Sequence, residues 1–249
     1  MAIKRVLILL CIFMIVPIVI FSSCDESTTD DEIIPTEGLV IEEYVFEGTR
    51  QRYCRVFGYE GTDTNINIPE MHDEMEVLCV DEAAFSGNEI ITSVTFNNVM
   101  VAIDDKAFSD CSNLETIDMS RSFLSHIDKY AFANCTKLKV VKFPEIKDQI
   151  DLYNYPGLTL REGAFSGCTV LTEITLPQKI SRIDKYVFAG CENLTTVNYL
   201  GTKAEWEAIS KGGYSDPYDH GRVIFRNIFE EGKEMTIHCT DGDVIYSLN

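Results

Sequence analysis

One short motif returns along the chain: AFSGN from Ala84, AFSDC from Ala107, AFANC from Ala131, AFSGC from Ala164 and VFAGC from Val187. Its phenylalanines, Phe85, Phe108, Phe132, Phe165 and Phe188, lie 23, 24, 33 and 23 residues apart, and apolar positions recur in register around each. Five residues upstream stand Val80, Ile103, Ile127, Leu160 and Ile183; six downstream stand Ile91, Leu114, Leu138, Leu171 and Leu194. Three further come Val94, Ile117, Val141, Ile174 and Val197, and two beyond those Phe96, Met119, Phe143, Leu176 and Tyr199. A unit of about 23 residues cannot bury its own apolar face, so such units must stack and share one core. The pattern therefore predicts a solenoid. The L-x-x-I-x-L portion reads as a short strand, because its last apolar positions alternate. The A-F portion reads as a tight helical or 3₁₀ turn, with small residues where backbones approach and Gly or Asn where φ is positive.

The repeat resembles the BspA-like, Treponema-type leucine-rich repeats of bacterial surface proteins. The likeness runs from about Tyr53 to the C-terminus. YCRVFGYEGTDTNINIPE looks like that family's leading strands, and YLGTKAEWEAISKGG with TIHCTDGDV looks like its terminal cap. The resemblance implies a mostly β solenoid of five units with short helical turns. An N-terminal strand cap and a C-terminal helix-plus-strand cap close it, the helix KAEWEAI setting Trp206 against the end of the stack. The expected division is 1–23 signal peptide, 24–36 acidic tether, 37–78 leading strands, 79–199 repeats and 200–249 cap.

Cys111, Cys135, Cys168 and Cys191 occupy one column of the repeat, three residues after the phenylalanine, with Asn88 in the first unit. A zinc site needs ligands converging as a tetrahedron at close spacing, whereas these run in a line. A nucleophile needs a base within reach, and no histidine recurs. Small, easily buried thiols suit a core column, so the phenylalanine and cysteine columns are read as structural ladders.

Other chemistry is sparse. His72, His126, His220 and His238 are scattered, and His238 and Cys239 point to opposite faces of a strand. DGD, at residues 241–243, lacks the ligand series of a calcium loop and reads as a turn. Asp81, Asp104, Asp128 and Asp184 form an acidic column four residues before each phenylalanine, interrupted by Arg161. Weak calcium binding and capping of the A-F turn are the two readings; capping is preferred. No catalytic residue, metal or cofactor is expected.

The outward strand positions, among them Thr95, Thr116, Lys142 and Thr175, are short and mostly polar and bear no aromatic ring. The third unit carries about ten extra residues with Leu152, Tyr153 and Tyr155, and tyrosine is favoured at interfaces. These seven residues are the candidate partner-binding set; a loop folded back over the stack is the alternative for the insertion. A long stretch before the last strand is the other irregularity.

The N-terminus reads as a signal. Lys4 and Arg5 precede an apolar run over residues 6–21, then Ser22, Ser23 and Cys24. The run is short of the ~20 residues of a membrane-spanning helix, and Pro17 interrupts it. FSSC resembles the lipobox of bacterial lipoproteins, with Phe21 where leucine is usual, which implies lipidation of Cys24. Simple secretion and a retained helix are the alternatives. The acidic stretch that follows buries too little to fold, and Asp25 and Glu26 resemble the surface-export signals of Bacteroides-type lipoproteins. Cleavage would remove two positive charges from a chain of net charge −19, which excludes the basic footprint that nucleic acid demands. Membrane attachment then rests on the acyl chains at Cys24 alone. The expectation is a non-enzymatic, surface-anchored module binding protein partners, exported by a Sec-type route to the outer membrane or cell surface. The family resemblance adds adhesion to host matrix or other cells. A glycan-handling accessory lipoprotein of a nutrient-uptake system is the alternative.

Overall fold

The computed structural model describes residues 35–45, 51–144, 157–211, 228–229 and 235–246. The signal segment, Cys24, most of the tether, the insertion with Leu152, Tyr153 and Tyr155, and His220 lie outside the described residues. In chain order the strands are β1 (Leu39–Val45), β2 (Arg52–Tyr59), β3 (Asn65–Asn67), β4 (Met71–His72), β5 (Met75–Val80) and β6 (Ser93–Thr95). There follow β7 (Ala102–Ile103), β8 (Thr116–Asp118), β9 (His126–Ile127), β10 (Val140–Lys142), β11 (Leu158–Leu160) and β12 (Glu173–Leu176). The last are β13 (Ile180–Ile183), β14 (Thr196–Tyr199), helix α1 (Lys203–Ala208), β15 (Ser210–Lys211), β16 (Met235–Cys239) and β17 (Gly242–Tyr246).

The chain winds as a three-sided coil. On the first side a nine-stranded sheet runs β1-β2-β5-β7-β9-β11-β13-β15, with β4 beside β5. Its main path is parallel from β2 onward and closed at its start by antiparallel β1, and β4 pairs β5 antiparallel. The second side carries two four-stranded sheets, β10-β8-β6-β3 and β12-β14-β16-β17. They part between β10 and β12, the place in the sequence where the insertion falls. Residues that align in the repeat are partners in space: Val56, Val80, Ile103, Ile127, Leu160 and Ile183 face one another across the first sheet. Ile66, Val94, Ile117 and Val141 do so on the second.

Each coil thus has two strands where the sequence suggested one. Two residues are too few to show alternation, so the first-side strands exist only through their pairing with the next coil. The leading strands are also a coil in their own right, since Val56 and Ile66 fill the repeat's apolar positions.

The third side corrects the expected helical turn. Around Phe85, the N–H groups of Ala84, Ser86 and Asn88 close successive turns onto the carbonyls of Asp81, Ala83 and Phe85. The alternating N–H groups of Ala83, Phe85 and Gly87 instead donate to Asp105, Ala107 and Ser109 of the next coil. The same double pattern recurs coil after coil, so the turns themselves form a ladder. It requires left-handed residues two before and two after each phenylalanine: Ala83, Lys106, Tyr130, Gly163 and Tyr186 at φ 56–65°, and Gly87, Asp110, Asn134, Gly167 and Gly190 at φ 58–73°. Gly163 is further constrained, because a Cβ there would sit 2.4 Å from the Tyr130 ring.

Inside, the rings stack in one column. Phe85, Phe108, Phe132, Phe165 and Phe188 follow one another with centroids 4.7, 5.2, 5.3 and 5.9 Å apart and planes within 17°. Tyr59 begins the column, 6.1 Å from Phe85, and Phe229 ends it, 5.7 Å from Phe188. Full burial of each ring contributes about 2–3 kcal/mol. Helix α1 opens with a capping box between Thr202 and Glu205. It buries Trp206 completely against Tyr199, with the indole N–H donating to the Tyr246 hydroxyl at 3.0 Å. No helix among the described residues is long and apolar enough to cross a membrane.

Candidate functional site

The sequence-selected residues separate into structural and exposed sets. Cys111, Cys135, Cys168 and Cys191 are buried thiols with no disulfide. Each Sγ donates to the phenylalanine carbonyl of the preceding coil: Phe85, Phe108, Phe132 and Phe165, at 3.1, 3.2, 3.4 and 3.1 Å. The thiol therefore occupies space and also adds a second donor to a carbonyl that already closes its own turn, as Phe85 does with the Asn88 N–H. Burial pushes the Cys111 thiol up to about 12 and that of Cys135 well above its ordinary value. A side-chain hydrogen bond with Cys191, together with burial, does the same for Cys168. Asn88, in the first coil, instead accepts from the N–H groups of Ile90 and Ile91.

Thr95 and Thr116 lie on β6 and β8, Lys142 on edge strand β10, and Thr175 on β12 of the other sheet. The four therefore do not share one hydrogen-bonded surface. Charges on this side are paired coil to coil, Lys142 with Asp118 at 2.8 Å and Lys139 with Glu115 at 3.0 Å. Of the distal candidates, His238 bonds Asp243 across the β16–β17 hairpin at 2.9 Å. Asp241, in the DGD turn, accepts from the Lys203 N–H at the start of α1.

The acidic column is not a set of caps. Asp81 does accept from the Glu82 N–H, but the carboxylates of the column also face cations. Arg55 lies between Asp81, 3.3 Å from Nε, and Asp104, which its Nη2 contacts. Arg161 Nε stands 3.5 Å from Asp128, and Arg182 Nε bonds Asp184 at 2.5 Å. Beside the column, Asp105 accepts from the Lys129 N–H of the next coil.

These charges border a groove of about 710 Å³ on the outer surface of the nine-stranded sheet. Its origin lies in the residues that alternate with the core column. Arg55, Cys79, Ala102, His126, Thr159 and Arg182 are consecutive partners across the sheet and face outward. Cys79 and Ala102 are small, so the surface sinks between Arg55 and His126. Tyr44 and Tyr53 form one wall, with centroids 5.3 Å apart, and the Arg55 guanidinium lies 5.1 Å over Tyr44. Asp81, Asp104 and Asp128 also line the groove. Burial raises Asp104 and Asp128 to about 6 each, outweighing Arg55 and Arg161, and burial lowers His126. One ligand atom from each of Asp104, His126 and Asp128 lies within 4.8 Å of the others. Reading the column one residue before the core position would have exposed the two small residues and His126 at the centre of this face.

A family model described as BspA-type leucine-rich repeat region matches residues 54–156 and 149–211, in six copies. No curated protein matches significantly. Among solved structures, a leucine-rich-repeat protein of T. pallidum is 18% identical, covers 73% of this chain and 98% of its own, and superposes with a TM-score of 0.50. The pneumococcal vaccine antigen PcpA is 14% identical over 78% of this chain and 47% of its own, with a TM-score of 0.50. A Bacteroides capillosus leucine-rich-repeat protein is 22% identical over 69% of this chain and 100% of its own, at 0.41. The first two likenesses show a shared fold.

Proposed function

The chain belongs to the BspA-type leucine-rich-repeat family, and from that premise we propose that it is a surface-displayed, protein-binding module that docks its partner on the nine-stranded face. The supporting observation is the groove. Tyrosine and arginine, the residue types that carry interface energy, converge there on a scaffold whose strands and turns are hydrogen-bonded from coil to coil. The chain's net charge of −19 favours a basic partner surface and speeds its encounter. Host matrix proteins and surface proteins of other cells are the partner classes we favour, which makes the module an adhesin. A lipid at Cys24 would hold it at the outer membrane or cell surface, with residues 25–36 as tether. The insertion with Leu152, Tyr153 and Tyr155 is a second docking element in this reading.

The test is a panel of matrix proteins and glycans against the purified protein, followed by Tyr44→Ala, Arg161→Ala and a deletion of residues 145–154. Loss of a protein interaction in the Tyr44 and Arg161 variants, at unchanged melting temperature, supports the groove. Loss only in the deletion moves the site to the insertion. Binding to glycans alone would replace this reading with the carbohydrate one. Tyr53 is 4% exposed, so Tyr44 is the groove tyrosine that either class of partner would reach. Acyl labelling abolished by Cys24→Ala tests the anchor.

A further inference from the structure

We propose that Asp104, His126 and Asp128 form a binding site for a first-row divalent transition-metal ion of the zinc type, independent of whichever protein docks on the same face. The three come from two adjacent coils whose backbones are tied together. Ala102 and Ile103 pair with His126 and Ile127, the Asp104 N–H donates to Val80, and the Asp128 N–H donates to Ile103. The side chains are 22%, 14% and 28% exposed and open on the groove. Their ligand atoms already lie within 4.8 Å, so side-chain rotations of about 1 Å bring them to the ~2.0–2.2 Å bond lengths of such an ion.

A separate observation concerns the imidazole. The Ser125 hydroxyl lies 2.8 Å from His126 Nδ1 and 3.2 Å from the Val101 carbonyl, so it can accept an Nδ1–H while donating to that carbonyl. In that arrangement Nε2 carries the lone pair, and it stands 3.7 Å from Asp128 Oδ2. Nε2 and the two carboxylates then converge as acceptors, with Arg55 Nη2 the donor on Asp104. A hydrogen bond to the far ring nitrogen is the outer-shell device that orients histidine ligands.

The nearby arginines do not fill the gap. Arg55 engages Asp104 through Nη2, while its Nε and that of Arg161 are buried without hydrogen-bond partners. A carboxylate offers about four lone-pair positions, so both aspartates keep acceptor capacity. Asp81, Asp104 and Asp128 face Arg55 and Arg161, one carboxylate in excess; Glu82, Asp105 and Lys129 at the rim add a second. A divalent cation reverses that imbalance. Imidazole in the donor set favours zinc, cobalt or nickel over calcium and magnesium, which take oxygen. Three protein ligands leave a position open to water from the groove.

The experiment uses the purified, untagged full chain stripped with EDTA. Zn²⁺ is titrated by calorimetry and Co²⁺ by its visible absorption, with melting temperature in parallel. One equivalent should bind, raising the melting temperature and giving cobalt bands without thiolate charge transfer. His126→Ala and the Asp104→Asn/Asp128→Asn pair should lose the bands and at least about 10-fold in affinity, Ser125→Ala about 10-fold, and His238→Ala nothing. If His126→Ala misfolds by circular dichroism, His126→Gln and Ser125→Ala carry the comparison. Absence of saturable Zn²⁺ or Co²⁺ binding overturns the proposal. So does binding that survives in the His126 and aspartate variants, or a cobalt–thiolate band placing the ion on cysteine.

Discussion

Truncating Phe132 to alanine is the sharpest probe of the stack. Its ring is fully buried, 5.2 Å from Phe108 and 5.3 Å from Phe165, with planes inclined 10° and 11°. Phenylalanine-to-alanine changes in packed cores cost about 3–5 kcal/mol, rising with the cavity that remains. Here the walls cannot close in. The Phe108 N–H is bound to Ala131 at 2.7 Å and the Phe132 N–H to Ala164 at 2.8 Å, which fixes the coil spacing on either side. The loss should therefore fall in the upper part of that range, about 4–5 kcal/mol. Removing Tyr59, the partly exposed ring at the end of the column, should cost about 1–2 kcal/mol. Because each coil contacts only its neighbours, a mid-stack lesion also weakens coupling between the two halves. Urea unfolding followed by far-UV circular dichroism reports the whole solenoid. Fluorescence of Trp206, the chain's one tryptophan, reports the C-terminal end. The two transitions should coincide in the wild type and separate in Phe132→Ala. A loss below about 1 kcal/mol with coincident transitions would refute the continuous column.

The ladder thiols Cys111, Cys135 and Cys168 should react with thiol reagents at least about 100-fold more slowly in native protein than in urea, because burial, and for Cys168 first the hydrogen bond with Cys191, suppresses the thiolate. Rapid native labelling, or a 111–135 linkage by mass spectrometry, would rule out the ladder. Lys106, exposed and left-handed at φ 56°, should become more stable by about 0.5–1 kcal/mol as Lys106→Gly, whereas Gly190→Ala at φ 70° should lose about 1 kcal/mol; no gain in the first would deny the left-handed turn. In chelator, Asp104 and Asp128 titrate near 6 when folded and near 3.8 when unfolded, facing Arg55, Asp81, Asp105, His126, Lys129, Arg161 and Asp184. Their folded values are raised, so their stabilising effect is complete below about pH 4 and is lost as pH rises through 6. Relative to Asp104→Asn/Asp128→Asn, the wild type's melting temperature should fall between pH 4.5 and 7; a flat difference would contradict the burial of these carboxylates.

The solenoid was legible because a stacked fold writes the same instruction in every coil. Val80, Ile103, Ile127, Leu160 and Ile183 are alike because each meets the others across the sheet, so alignment in sequence becomes pairing in space. Elements defined by hydrogen bonds rather than side-chain pattern were not legible. The two-residue strands β7 and β9 carry no readable alternation, and the turn ladder admits Ala83, Lys106, Tyr130 and Tyr186 at a left-handed position where sequence reasoning looks for glycine. The terminal members of the ring column escaped for a related reason. Tyr59 lacks the A-F motif, and Phe229 follows Phe188 after a segment far longer than the period.

The groove was hidden by the same regularity that revealed the fold. A repeat reading ranks positions by sameness, and a binding surface is made of differences between equivalent positions. Across the outward column, Arg55, Cys79, Ala102, His126, Thr159 and Arg182 occupy one geometric place with charge, size and chemistry all changing. Only such a mixture can hollow a flat sheet and set dissimilar groups around the hollow. Arg161 makes the same point in the acidic column: its departure from aspartate looks like a lapse in the pattern, yet it supplies the cation facing Asp128. In a solenoid the constant positions answer to the neighbouring coil, and the variable outward positions are free to answer to a ligand. The residues most informative about function are therefore those that break a column while keeping its place in the fold.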